Sequence, residues 1–233
     1  MAKKKYYRYA HLYLTLGLVV VLLGFSTTYF SRLSDFSPPY HVHGISATLW
    51  MILLIVQPYL FQKGKLKAHR YLGWSSLVLI PTIVICGIIM MRMMIQGQEN
   101  YPPNLVYQLA FIDACTLLSF ALLYAMALIY RRKLKLHSKF MVATIFGPLL
   151  PALARMFLFT FGIASNFNQA LTYSYMAIEI ALLLIIWKER NEKEIKLTYI
   201  PFLIFIMIQH GLMYYSDEWS WWKVLMDNFA NYV

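Results

Sequence analysis

Seven apolar runs dominate this chain, each close to the ~20 residues an α-helix needs to cross ~30 Å of hydrocarbon. They lie at about residues 9–30, 42–61, 71–91, 104–130, 140–163, 169–187 and 198–216, with short polar connections between them. Hydrocarbon offers no partner to a bare peptide group, so runs of this length satisfy their backbone only as helices. The sequence therefore predicts an all-α fold, a single polytopic bundle of seven transmembrane helices over residues 1–233, with no stretch left for a soluble domain. Composition agrees: 60% of residues are hydrophobic and 13% charged, with a mean hydropathy of +0.56, against ~45–50% and ~25% in soluble domains. Lys3, Lys4, Lys5 and Arg8 precede the first run as they would a signal peptide. That run is too long for a signal core and no small-residue cleavage site follows, so it reads as a span.

The net charge of +11 would suit nucleic acid if it formed one patch, but the basic residues fall in short clusters between apolar runs. Seventeen of the 21 Lys and Arg occupy one set of connections: residues 3–8, 63–70, 131–139 and 188–196. The other set carries Arg32, Arg92 and Lys223, and Arg155 alone lies within a run. The positive-inside rule then places the N-terminus in the cytoplasm and the C-terminus outside, in the cell (inner) membrane, and removes any need for nucleic acid. Tyr6, Tyr7, Tyr59, Tyr107, Tyr130, Trp187 and Trp219 fit an interfacial aromatic belt. Trp219, Trp221 and Trp222 with Val224, Leu225 and Met226 predict a short amphipathic helix on the outer surface. Cys86 and Cys115 both fall in apolar runs, which excludes a disulfide framework or a CxxC metal site. Pro81, Pro148, Pro151 and Pro201 are expected to kink their helices, most severely at Gly147-Pro148 and Pro151.

Ionisable groups at membrane depth are costly unless paired or hydrated, and four stand out: Asp113, Arg155, Glu179 and His210. At ~1.5 Å per residue, all four come out between the bilayer middle and its outer face. His43 joins them at the mouth of the second span, where His43, Trp50 and Gln57 recur every seven residues and share one face. Two carboxylates oppose one guanidinium, so whichever acid Arg155 leaves unpaired must hold a proton or meet His210 as imidazolium. His43, Trp50, Asp113, Arg155, Glu179 and His210 are thus the candidate ligand-binding residues of a proton-responsive site. A simple staple between Arg155 and one acid is the structural alternative. His69 and His137 lie at the cytoplasmic end instead, where they serve either as interfacial side chains or as ligands. His137 and Arg155 are separated by five helical turns and share a helix face at opposite ends of one span.

His43-Gly44, Gln57, His69-Arg70, Gly73, then His137 with Phe140-Met141 and Arg155 together resemble the bacterial multipass membrane family catalogued as domain of unknown function 2306. That family has a helix opening on His-Gly and reaching a Gln, then an HRxxG entry, then an HxxWM helix carrying an Arg. The resemblance covers about residues 41–155. Phe140 replaces the family's Trp, and Thr144 stands where a second Arg is common. The resemblance implies architecture and a set of polar residues, and it supplies no activity.

Three functions compete. The first is a site for a small or lipidic molecule, opening to the outer leaflet and proton-linked, in a transporter or sensor. The second is a haem b or quinone redox protein, with His69 and His137 matched in depth as haem ligands and Arg70 or Lys139 near the propionates. The third is a metal-dependent intramembrane hydrolase using His43, His210 and Asp113, with His41 in reserve; without HExxH or HxxxH, and with Arg155 nearby, no metal is assigned. Enzymatic activity stays open at this stage.

Overall fold

The structure, a computed structural model, describes residues 9–231. The basic cluster at 3–8, with Tyr6 and Tyr7, lies outside the described residues. Among those described, the chain is helical with no strand. The α-helices are α1 (Ala10–Ser26), α2 (Pro38–Gln62), α3 (Leu66–Gln96), α4 (Leu105–Ile129), α5 (Leu134–Ala143), α6 (Phe146–Arg155), α7 (Phe167–Lys188), α8 (Tyr199–Met213) and α9 (Ser220–Asn231).

Among the described residues, six segments are long and apolar enough to cross a membrane: α2, α3, α4, the composite Leu134–Thr160, α7 and Lys193–Met213. The predicted first span is shorter than expected. α1 has 17 residues, roughly 26 Å of rise, and the chain then turns through a 3-10 segment at Phe30–Asp35. The outward apolar face suits lipid: Ile85, Leu118, Leu122, Ile129, Leu183 and Leu184 are all exposed, the reverse of a water-soluble surface.

The helices are joined tightly. Gly64 adopts φ +72°, a left-handed conformation that costs glycine little, and so turns α2 directly into α3. Gly24 on α1 faces the backbone of α6, where a Cβ would run into the carbonyl of Ala152; small residues permit such close approach between membrane helices. Gln108 Nε2 donates to Met213 O at 3.1 Å and Gln209 Nε2 to Ile112 O at 3.0 Å, tying α4 to α8. Interhelical bonds of this kind hold bundles together where the hydrophobic effect does not.

The predicted fifth span is broken differently from the proline forecast. α5 ends at Ala143, Thr144 and Ile145 interrupt the ladder, and α6 begins at Phe146. Pro148 consequently falls in the first turn of α6, where its missing N–H has no intrahelical acceptor to lose. Pro201 likewise lies in the first turn of α8 and does not kink it, while Pro81 and Pro151 are helix-interior. A π-helical turn, Met156–Thr160, follows Arg155.

The amphipathic helix after the last span is present as α9. It packs on α3 and α4, with Trp222 Nε1 donating to Tyr107 O at 2.9 Å and Tyr107 Oη to Asp227 Oδ1 at 2.8 Å. At the opposite, Lys/Arg-rich end, Lys139 is fully buried and paired with Glu189, and Lys135 Nζ lies 2.5 Å from Glu192 Oε2. These pairs fasten α5 to the loop between α7 and α8.

Candidate functional site

Two cavities lie within the bundle, one above the other along α2. Toward the α9 end, about 280 Å³ is bordered by α1, α2, α3, α4, α6 and α7, with His43, Trp50, Tyr101, Asp113 and Arg155 in its lining. Toward the basic end, about 630 Å³ is lined by Trp50, Gln57, His69, Arg70, Arg131 and His137 among apolar side chains. The seven-residue stripe His43, Trp50, Gln57 runs down a wall common to both. Among the described residues, Trp50 alone is shared by the two linings.

Trp50 is 2% exposed. Its Nε1 donates to Thr144 Oγ1 at 3.2 Å, and its ring meets Phe120 and Tyr124 edge-on. Thr144 can receive that bond because it sits in the break between α5 and α6, and its own hydroxyl donates to Met141 O at 2.7 Å. The indole is therefore a fixed partition between the cavities.

In the smaller cavity, Arg155 Nη1 donates to Pro151 O at 3.0 Å, and the guanidinium lies over the Phe25 ring at 4.7 Å. Asp113 faces the same space and interacts electrostatically with Arg155. Among the described residues it makes no direct ion pair or hydrogen bond. His43 is oriented by Ile83 O, 3.1 Å from its Nδ1. Tyr101, in the loop before α4, also lines this space and interacts electrostatically with both charges, and burial raises its phenol above the usual range. It stays a neutral donor at pH 7. The sequence reading missed Tyr101 and Phe25, since neither polarity nor spacing distinguishes them from the surrounding aromatics.

Glu179 and His210 do not line that cavity. They pair with each other, His210 Nδ1 to Glu179 Oε1 at 2.9 Å, between α7 and α8. Tyr175 stacks on the His210 ring at 4.8 Å, and Tyr214 Oη lies 3.5 Å from His210 Nε2. The six expected site residues thus divide into a chamber of four and a separate pair. The division also removes the hydrolase set. His210 is committed to Glu179, while His41 has Nδ1 2.8 Å from Tyr29 Oη and Nε2 3.1 Å from Phe36 O. Among the described residues no group of three or more His, Cys, Asp or Glu could hold a metal ion.

In the larger cavity, His69 Nδ1 lies 3.3 Å from Gln57 O and His137 Nδ1 2.9 Å from Ala127 O. Gln57 Nε2 returns a bond to His69 O at 3.0 Å, locking the start of α3 to the end of α2. Of the residues quoted for that resemblance, His43 and Arg155 line the smaller space and Gln57, His69, Arg70, Gly73, His137 and Met141 the larger, while Gly44 faces Tyr29 and Phe140 stacks on Tyr130, outside both linings. Comparison of the chain with protein-family models, with curated proteins and with solved structures finds no match.

Proposed function

We propose that this chain is a multipass protein of the cell membrane that binds a small, partly apolar molecule carrying a charged or zwitterionic group in the chamber of Asp113 and Arg155, for transport or sensing. One observation carries the reading: opposite charges from α4 and α6 face one chamber without contacting each other. Held apart in a low-dielectric space, they suit a ligand that supplies the missing partner to each, an anionic group for Arg155 and a donor for Asp113. The proton link follows from charge balance. An anion on Arg155 takes away the positive charge that offsets Asp113, and a proton on the carboxyl restores neutrality.

Orientation belongs to the same reading. α1 crosses as the seventh span: Ala10 and Leu14 line the larger cavity while Phe25 lies against Arg155 in the smaller one, so this helix runs the distance between them. The Lys/Arg-rich end is cytoplasmic and the α9 end outside. The likeness to the domain of unknown function 2306 supports this reading in that most of its residues, His43, Gln57, His69, His137 and Arg155 among them, line the two cavities.

Mass spectrometry of small molecules released from the purified protein tests the proposal. A species enriched in the wild type and lost from both Arg155→Gln and Asp113→Asn is the expected result. An identical profile from all three proteins removes the chamber as a binding site.

A further inference from the structure

The larger cavity carries a chemistry of its own, independent of the Asp113 and Arg155 chamber. His69 opens α3 and His137 opens α5, and both line this space. Each holds its Nδ1 against a main-chain carbonyl, Gln57 O or Ala127 O. A carbonyl only accepts, so each Nδ1 carries the hydrogen and a neutral ring keeps its lone pair on Nε2. Neither Nε2 has a hydrogen-bond partner among the described residues, and both imidazoles are partly accessible. This is the orientation that second-shell carbonyls impose on metal-ligating histidines.

The remaining lining narrows the ligand. Arg70, Arg131 and Lys135 lie at the basic end, no Asp or Glu among the described residues lines the cavity, and Leu53, Leu54, Leu77 and Met141 make its walls apolar down to Trp50. Arg70 and Arg131 above an apolar slot, with the third cation Lys135 held by Glu192, suit a flat apolar body with anionic groups at one edge. A simple anion would meet imidazole lone pairs, whereas an iron centre takes them. At about 630 Å³ the space falls within the ~300–1,000 Å³ range of cofactor sites.

We propose that the cavity between α1, α2, α3, α4 and α5 binds one haem b, with His69 Nε2 and His137 Nε2 as axial ligands and the propionates toward Arg70 and Arg131. Two neutral imidazoles leave ferric haem with one net negative charge at its propionate edge, which the arginines offset.

Titration of the full chain in detergent with hemin, followed by absorption and electron paramagnetic resonance, tests this. A saturable one-to-one complex with low-spin bis-imidazole spectra is expected. His69→Ala and His137→Ala each convert it to high spin, and free imidazole restores the low-spin spectrum in either variant. That rescue separates ligation from damage to the fold, which elution volume and circular dichroism check independently. The Arg70→Ala/Arg131→Ala protein keeps the low-spin spectrum with a hemin Kd raised roughly tenfold or more, and His41→Ala changes nothing. A hemin spectrum indifferent to both His69→Ala and His137→Ala overturns the proposal. So does failure of the folded wild type to bind hemin, including the case where it retains anionic phospholipid that the Arg70→Ala/Arg131→Ala protein loses.

Discussion

Replacing Arg155 by leucine takes the positive charge from the chamber and leaves Asp113 without its counter-charge. The two groups interact electrostatically without forming a direct ion pair. For charges ~5–8 Å apart at an effective dielectric of ~20, the Coulomb energy is roughly 2–3 kcal/mol. The Asp113→Asn/Arg155→Leu protein contains neither charge, so it should recover that coupling relative to the sum of the single variants. For a chain of this size ~1 kcal/mol moves Tm by ~2–4 °C, so the expected coupling is roughly 4–12 °C in a thermal melt of detergent-solubilised protein at pH 7. Of the single changes Arg155→Leu is the more damaging. Arg155 keeps Pro151 O and the Phe25 face when Asp113 is neutralised, while Asp113 has no other partner among the described residues. Adding Glu179→Gln to the double variant gives no further rescue, because that carboxylate is bound to His210. Additive melting shifts for Arg155→Leu and Asp113→Asn, or a gain from Glu179→Gln, would refute the electrostatic picture of the chamber.

Three further outcomes follow from the packing. Gly24→Ala forces α1 away from the Ala152 carbonyl and should destabilise by ~1–3 kcal/mol, read as a lower Tm, whereas Gly211→Ala, with open space around it, should change the melt far less. Trp50→Phe and Thr144→Val each remove the same buried hydrogen bond, at about 1 kcal/mol, and their combination should cost less than the sum in the same assay. Lys139→Met leaves Glu189 without its fully buried partner and should destabilise by ~1–3 kcal/mol; Glu189→Gln in that background should return part of the loss.

The bundle was legible because crossing hydrocarbon imposes a length and a composition that no other environment demands. The 17-residue α1 departs from that rule because the chain between Ser26 and Pro38 turns through a 3-10 segment instead of extending the helix. The fifth span shows a different limit. Proline position says where a hydrogen bond is missing and not which turn absorbs the break. Here Thr144 and Ile145 absorb it, so that Pro148 begins a new helix instead of kinking an old one.

Residue count along each span leads to the expectation that Asp113, Arg155, Glu179 and His210 share one layer. Azimuth does not follow from that count, since it depends on which helices neighbour which. The contacts of α7 with α8 let Glu179 meet His210 while Asp113 and Arg155 face the chamber. On α2 the seven-residue spacing did carry azimuth, because His43, Trp50 and Gln57 share one helix and one face. Even so, it could not show that Trp50 separates two spaces. That depends on Phe120, Tyr124 and Thr144, supplied by other helices.

Sided labelling of single cysteines tests most directly the claim that two chambers open to opposite faces across Trp50. In a Cys86→Ser/Cys115→Ser background, Thr116→Cys lines the smaller cavity and Ser138→Cys the larger. A small membrane-impermeant thiol reagent applied to oriented vesicles should modify Thr116→Cys only from outside and Ser138→Cys only from the cytoplasmic face. Modification of both positions from the same face, or of neither from any, would contradict the account.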